Sequence, residues 1–544
     1  AGTMAPFHNK QDGNLDSGLA SKDVQRALLA RGAPPVATIG SSVALIKNRA
    51  TGVWSVPDGV ADQLPLHDLF GVVRVAQGGV GGLVDGVSAP LISAPSKRTT
   101  ADRLSVPTQT QSRIDLTVSP ALQQAVATAA RAEQDGTRLP TGAVVLDARN
   151  GAILALTSAP DQLDPMAGVA SRQEVAAWYG SDDSGKKPRN TGWGEVLGSD
   201  GVLRAPAESK CQTSVKCARY RLELTPRKDL DAEYLRTYVG GSTAYKLPNP
   251  EENRAAGRAY NLGSTFKIVI AAAWLENGGK INDLIAAPVS VPDGARTIGG
   301  SLCRGADPKT ELITVADALR VSCNTAFIEL AAKQLGWPKV AAMAERLGFT
   351  LIGPGRPEPA KTRWPTPSLL PAETGPEPGR ESVASLALGG GAISSTPYHM
   401  AALMGAIANG GTYHEPYVVA SSLDEAGRTT TAQTTGFTVL SAETVKGLRQ
   451  GLAEVTGEGG TLASVPVPDG VVFYGKSGTQ PVRDETPSGN YTSRYFWVVG
   501  AAYRKDEPTK PISFAVVVEG HDAQRGHDHV RSVVAELLRA YAGK

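Results

Sequence analysis

Gly263-Ser264-Thr265-Phe266-Lys267-Ile268-Val269-Ile270-Ala271-Ala272-Ala273-Trp274-Leu275 is the stretch on which the reading of this 544-residue chain turns. From Phe266 to Leu275 it is apolar nearly all round, the mark of a helix buried on every side. Gly278 and Gly279 end it. Lys267 is its only charge. A buried ammonium is costly unless it is paired or gives up its proton. A spacing of three puts Lys267 on the same helix face as Ser264. Two readings stand at this point. One is a serine nucleophile with a lysine base; the other is a helix-start serine beside a snorkelling lysine. To act as a base, the lysine must move from about 10.4 towards 7–8, at a cost of roughly 4 kcal/mol. A second Ser-x-x-Lys, Ser184 to Lys187, is a decoy, because Gly185 and Pro188 argue against a helix there.

Two further short patterns lie downstream. Ser322-Cys323-Asn324 falls between the helical segments Val315–Arg320 and Thr325–Leu335. Alone it reads as a cap for the second helix, and Ser488-Gly489-Asn490 matches it equally well. Lys476-Ser477-Gly478-Thr479 follows the apolar strand Val471–Tyr474. A glycine there marks the close approach of another backbone or a ligand; the plainer reading is an edge strand guarded by a lysine. The three patterns together carry more. Ser322 lies 58 residues after Ser264, and Lys476 lies 152 after Asn324. Each falls where the chemistry needs it: helix start, interhelical turn, strand.

Ordered in this way, the triplet resembles the penicillin-binding proteins and active-site serine β-lactamases, over about residues 114–544. Tyr260-Asn261-Leu262-Gly263-Ser264 with Asn253-Arg254-Ala255 before it, Ile114-Asp115-Leu116-Thr117, Leu388-Gly389-Gly390-Gly391 and Phe496–Gly500 narrow the resemblance to the class B, monofunctional, penicillin-binding proteins. It implies a D,D-transpeptidase that cross-links peptidoglycan stem peptides, on lipid-linked precursor or nascent glycan, and is acylated by β-lactams. The implied roles are Ser264 as nucleophile and Lys267 as proton acceptor. Ser322 relays a proton to the leaving D-alanine, with Lys476 tuning the field. Asn324 orients Lys267 and the substrate amide. The N–H groups of Ser264 and Thr479 form the oxyanion hole, and Ser477, Gly478 and Thr479 hold the substrate. No cofactor and no metal is implied. A membrane glycosyltransferase is the implied partner, and the setting is the cell membrane, with an N-terminal anchor and the catalytic domain extracellular or periplasmic. No glutamate here sits in the Glu-x-x-x-Asn setting with which class A β-lactamases deacylate, so a long-lived penicilloyl-enzyme is expected. The rivals are a D,D-carboxypeptidase, a β-lactamase-like hydrolase and a β-lactam sensor domain.

The rest of the chain fits an α+β layout. Pro120 opens a helix, and Gly142–Asp147 and Ala152–Leu156 flank an Asn150-Gly151 turn, a β-hairpin. Helices then dominate from Ser264 to Asn409. Strands return at Val471–Tyr474, Tyr495–Tyr503 and Ile512–Glu519, before a last helix from about Val530 to Ala542. The expected architecture is an antiparallel sheet flanked by helices plus an all-helical subdomain, the β-lactamase/transpeptidase-like fold. A smaller non-catalytic N-terminal domain is expected over 1–113, ahead of the catalytic domain at 114–544. Within the former, the run Gly78-Gly79-Val80-Gly81-Gly82 reads as turns.

Composition excludes other classes. The net charge is +2, from 55 basic and 53 acidic residues, so the chain lacks the basic field of a nucleic-acid binder. Hydrophobic content of 41% with 20% charged residues marks a folded chain rather than a disordered one. No apolar run reaches the roughly 18 residues of a membrane helix. Of the four cysteines, Cys211 and Cys217 are spaced to permit a small disulfide loop or to stand as two free thiols. His521, His527 and His529, beside Asp522 and Asp528, read as a solvated loop rather than a metal site.

Overall fold

The computed structural model describes residues 111–132, 139–159 and, with short interruptions, 254–543, together with four strand segments between 43 and 81. Ser184, Lys187, Cys211, Cys217 and Ser488–Asn490 lie outside the described residues, as does most of 1–113.

The main body of the fold is built on a five-stranded antiparallel sheet whose strands come from two distant parts of the sequence. A hairpin supplies β1 (Thr141–Asp147) and β2 (Ile153–Ala159). The end of the chain supplies β3 (Val471–Arg483), β4 (Thr492–Arg504) and β5 (Glu507–Gly520). The order across the sheet is β3-β4-β5-β1-β2. The hairpin turns at Asn150-Gly151, where Gly151 takes φ +80° and the Asn150 side chain accepts from the Ala152 N–H. Both hairpin strands are buried throughout, because helices cover both faces of the sheet.

The helices that matter for the site and the packing on that sheet are α1 (Pro120–Ala130), α2 (Lys267–Glu276), α3 (Val315–Arg320), α4 (Asn324–Glu329), α5 (Trp337–Arg346), α6 (Pro397–Ala408), α7 (Ala442–Thr456) and α8 (Ala523–Ala542). Gly405 of α6 meets Ser513, while Gly526 of α8 meets Phe496, whose cross-strand partner is Val518. Five residues separate Ser513 from Val518 on one strand, so the two helices pack on opposite faces. Helix α2 runs through the middle of the helical lobe, between α5 and α7. Ile268 to Ala273 are wholly shielded from solvent there, as its unbroken apolar text requires. The neighbouring helices start on side-chain caps: Thr314 accepts from the Asp317 N–H, Thr396 from His399 and Ser441 from Thr444, each worth about 1 kcal/mol.

Three expectations need correction. Gly79–Gly81 forms a short strand paired with Val73–Val75 rather than a run of turns; backbone hydrogen bonds suffice for pairing where side chains are absent. The last helix begins at Ala523, about two turns before Val530, so His527 and His529 belong to a helix and not to a solvated loop. His529 is buried against the Thr141 hydroxyl, 3.1 Å away. Last, the strands at Val471, Tyr495 and Ile512 run to 13, 13 and 14 residues.

A second sheet joins the two halves of the sequence. Gln111–Leu116 pairs on one side with Val43–Asn48 and on the other with Val419–Asp424. The expected boundary between residues 113 and 114 falls inside that strand.

Candidate active site

The site forms where the start of α2, the turn between α3 and α4, and edge strand β3 converge. Gly263–Phe266 makes one tight 3-10 turn that leads into α2. Within it Ser264 alone is partly exposed; Gly263, Thr265, Phe266 and Lys267 are buried. The turn is locked from several directions. Gly389 O accepts from the N–H groups of Leu262 and Gly263, and the Trp497 indole N–H donates to Asn261 O. Two glycines make the convergence sterically feasible. Gly263, at φ +53°, presses on β3 so closely that a Cβ would lie 2.6 Å from Thr479 O, and a Cβ on Gly478 would lie 2.8 Å from Leu262 O. The backbone of Thr479 is thereby fixed against the turn that carries Ser264.

The approach to the serine is tied to β5 by a buried ionic cluster. Glu519, fully buried, accepts from the Tyr260 hydroxyl at 3.0 Å and pairs with Arg258 at 3.1 Å and Arg254 at 3.6 Å.

Lys267 is fully buried, and its amine donates to Ser322 O at 2.7 Å, to Asn324 Oδ1 at 2.7 Å and to Ser322 Oγ at 3.2 Å. Lys476, also fully buried, donates to the same Ser322 Oγ at 2.9 Å and to Ser477 O at 3.0 Å. The lysine on edge strand β3 therefore does not guard a solvent-facing edge; its head sits in the site. Ser322 holds its bridging place through an unusual backbone, with φ +58°, one of two non-glycine residues at positive φ among those described. That conformation costs about 1–2 kcal/mol. It turns both the carbonyl and the hydroxyl of Ser322 towards Lys267, and such strain collects at functional sites.

Electrostatics follow from this crowding. Burial pushes the Lys267 amine well below its ordinary value, and the neighbouring Lys476 charge pushes it further. Burial alone pushes Lys476 down to about 7. Both lysines are fully buried and no carboxylate contacts either amine among the bonds of the described residues, so the site favours neutral amines. A neutral amine beside a serine hydroxyl is what proton abstraction needs.

On the other side of the cleft, Ser477 and Thr479 share one face of β3. Ser477 Oγ lies 2.6 Å from Thr461 Oγ1, and Thr479 Oγ1 lies 3.4 Å from His527 Nε2. The structure thus brings Lys267, Ser322, Asn324 and Lys476 into one hydrogen-bonded set, with the turn of Ser264 and the backbone of Thr479 adjoining it.

The cysteine reading missed a bond. Cys323, the middle residue of Ser322-Cys323-Asn324, is joined to Cys303. The loop after the small hairpin Ser290–Gly299 is thereby stapled to the turn that holds Ser322 and Asn324. Only the fold brings residues 20 apart in sequence together here; neither shows a recognisable spacing. Among the described residues, no group of three or more His, Cys, Asp or Glu could hold a metal ion, and no helix is long and apolar enough to cross a membrane.

Comparison with known proteins agrees with this geometry. The family described as "Penicillin binding protein transpeptidase domain" matches residues 221–539, more than half of the chain. The chain belongs to that family. Among curated proteins it is similar to the peptidoglycan D,D-transpeptidase PbpA of Mycolicibacterium smegmatis, 29% identical over 281 residues that cover 50% of this chain and 52% of that protein. PbpA of Mycobacterium tuberculosis is 32% identical over 178 residues, covering 32% of this chain and 33% of that protein. The chain thus spans a third to a half of the length of these curated relatives. An imipenem acyl-enzyme structure of penicillin-binding protein A from M. tuberculosis shares the fold, with TM-score 0.56 at 20% identity over 95% of this chain and 100% of that one. The α+β fold of the transpeptidase family expected from the motifs is the fold observed.

Proposed function

We propose that the protein is a peptidoglycan D,D-transpeptidase working through a serine acyl-enzyme. One observation carries the reading: two buried lysines converge on one serine hydroxyl, one of them at the start of the helix into which the turn of the partly exposed Ser264 leads, with no acidic partner for either amine among those bonds. Ser264 Oγ attacks the carbonyl of the penultimate D-alanine, and its proton passes to the neutral Lys267 amine. The Ser264 and Thr479 N–H groups receive the developing oxyanion, each donor worth about 10²–10³ in rate. Ser322 passes its proton to the nitrogen of the departing D-alanine as the C–N bond breaks, and is recharged from Lys267 or Lys476. Asn324, whose Oδ1 is taken by Lys267, turns its NH₂ to the substrate amide. Ser477, Gly478 and Thr479 line the strand on which the peptide lies, the hydroxyls of Ser477 and Thr479 close to its carboxylate. An amino group of a second stem peptide then takes the acyl chain and frees Ser264. β-Lactams imitate the D-alanyl-D-alanine amide and stop at the acyl-enzyme.

The family resemblance extends the proposal to the setting: a membrane-anchored protein with its catalytic domain outside the membrane, residues 1–113 as a non-catalytic module, and a membrane glycosyltransferase supplying glycan strands. The test is intact-protein mass spectrometry after incubation with benzylpenicillin. The expected result is one penicilloyl adduct that persists for hours and is absent from Ser264→Ala. An unlabelled wild-type protein overturns the reading, and rapid complete turnover of the antibiotic favours a hydrolase instead.

A further inference from the structure

The last helix approaches the site through a single glycine. Gly526 of α8 packs so tightly on β4 that a Cβ there would lie 2.1 Å from the Phe496 ring. The next residue, His527, is carried into the angle between Phe496 and Thr479, which are direct cross-strand partners and so share one face of the sheet. The imidazole stands edge-to-face on Phe496, with ring centroids 4.9 Å apart, and its Nε2 lies 3.4 Å from Thr479 Oγ1. One helical turn on, Arg531 donates to the carbonyl of Thr461, whose hydroxyl meets Ser477. Helix spacing of four and strand spacing of two thus match, so that each hydroxyl on the strand has support from α8, direct for Thr479 and through Thr461 for Ser477.

We propose that His527 is a positioning residue that selects substrates ending in a free carboxylate, by holding the Thr479 hydroxyl in the orientation that donates to it. The inference rests on the transpeptidase reading above. A hydroxyl has one hydrogen to give. If that hydrogen goes to a carboxylate, the partner behind the oxygen must itself donate, and His527 does so through its Nε2–H. The charged groups around the ring are Arg531 and Asp528 on α8 and Arg494 on β4. Burial first, then the two arginines, lower the histidine's affinity for a proton, against the opposing effect of Asp528. The ring is therefore a neutral donor with its tautomer set by Thr479, and an arriving carboxylate meets a prepared hydroxyl with a cationic surround. Without the Nε2–H, the hydroxyl is free to turn away and the anion loses one of its donors.

The test compares benzylpenicillin with its methyl ester, in wild type, His527→Leu and His527→Gln, by the second-order rate of Ser264 acylation. His527→Leu is expected to slow the free acid about tenfold, one hydrogen bond to a charged group, while leaving the ester unchanged. The glutamine amide offers an N–H at a similar reach and is expected to restore most of the rate with the acid. An equal loss with both compounds would point to a packing role only and overturn the proposal, as would no loss with either. Failure of the wild type to be labelled at all would sink the transpeptidase reading and this inference together. Labelled wild type with indifferent variants sinks this inference alone.

Discussion

Replacing Lys476 by methionine is expected to make the protein more stable and nearly inactive. Burial holds the Lys476 amine at about 7 instead of 10.5. At 1.36 kcal/mol per pH unit, keeping that group inside the fold costs about 5 kcal/mol at neutral pH. Methionine has a similar stem and no charge, and it fills irregular space readily. Two hydrogen bonds are lost, to Ser322 Oγ and Ser477 O, at about 1 kcal/mol each. The Ser322 hydroxyl keeps its contact with Lys267, so the net gain is about 2–3 kcal/mol, or a rise in Tm of roughly 3–6 °C. The sign with pH is fixed by linkage. Because the folded value lies below the unfolded one, the unfolded chain binds the extra proton between about 7 and 10.5, and the wild type becomes relatively more stable as pH rises through that window. The advantage of the variant is therefore full at and below pH 7 and fades towards pH 10. Calorimetry across pH 6–9 measures it, alongside penicillin acylation, which is expected to fall about 10²-fold or more. A variant less stable than wild type at pH 7 would refute the claim that this lysine is held at the expense of the fold.

Three further outcomes are expected. The acylation rate of the wild type should climb with pH through the titration of Lys267, which burial and the Lys476 charge hold well below the ordinary lysine value; in Lys476→Met the limb should move to higher pH, and a limb that stays in place would show that the two amines do not interact. Gly263→Ala sets a side chain at φ +53° and 2.6 Å from Thr479 O, so a loss of about 2–4 kcal/mol in urea unfolding is expected, with acylation slowed about 10-fold or more because the Thr479 N–H is displaced; wild-type rates would mean that this backbone is not part of the reaction. Cys303→Ser with Cys323→Ser opens a loop of 20 residues and should cost about 3 kcal/mol, seen as a lower Tm that no longer responds to a thiol reductant; an unchanged Tm would count against the staple.

What the sequence disclosed and what it hid divide along a physical line. Ser264 and Lys267 were readable because a lone charge in an apolar helix is a local anomaly. Ser322, Asn324 and Lys476 were readable only as members of an ordered triplet, since alone each had a plainer explanation. The partnership of Lys476 with Ser322 spans 154 residues, and nothing local encodes it. The Cys303–Cys323 bond was hidden for the same reason. The polar residues around His527 read locally as a loop; the signal that points to a helix there is Gly526, small where an amphipathic helix needs to meet a sheet closely. The positive φ of Ser322 left no trace in composition, because the residues that usually adopt it are Gly, Asn and Asp.

The split origin of the central sheet governs when the serine can become reactive. Helices α2 to α7 come from one continuous stretch that lies between the two sources of the sheet. Strand β5 pairs with β1 across more than 360 residues, so the sheet closes only after residue 520 has left the ribosome. Until then the approach loop to Ser264 lacks its anchor Glu519, and the pair β3-β4 that carries Lys476 and Thr479 lacks the strand that joins it to β1. In the proposed reaction, a chain that stops short of residue 520 therefore carries its serine on an unanchored approach loop, and reactivity depends on strands β3 to β5 as much as on the turn that bears Ser264.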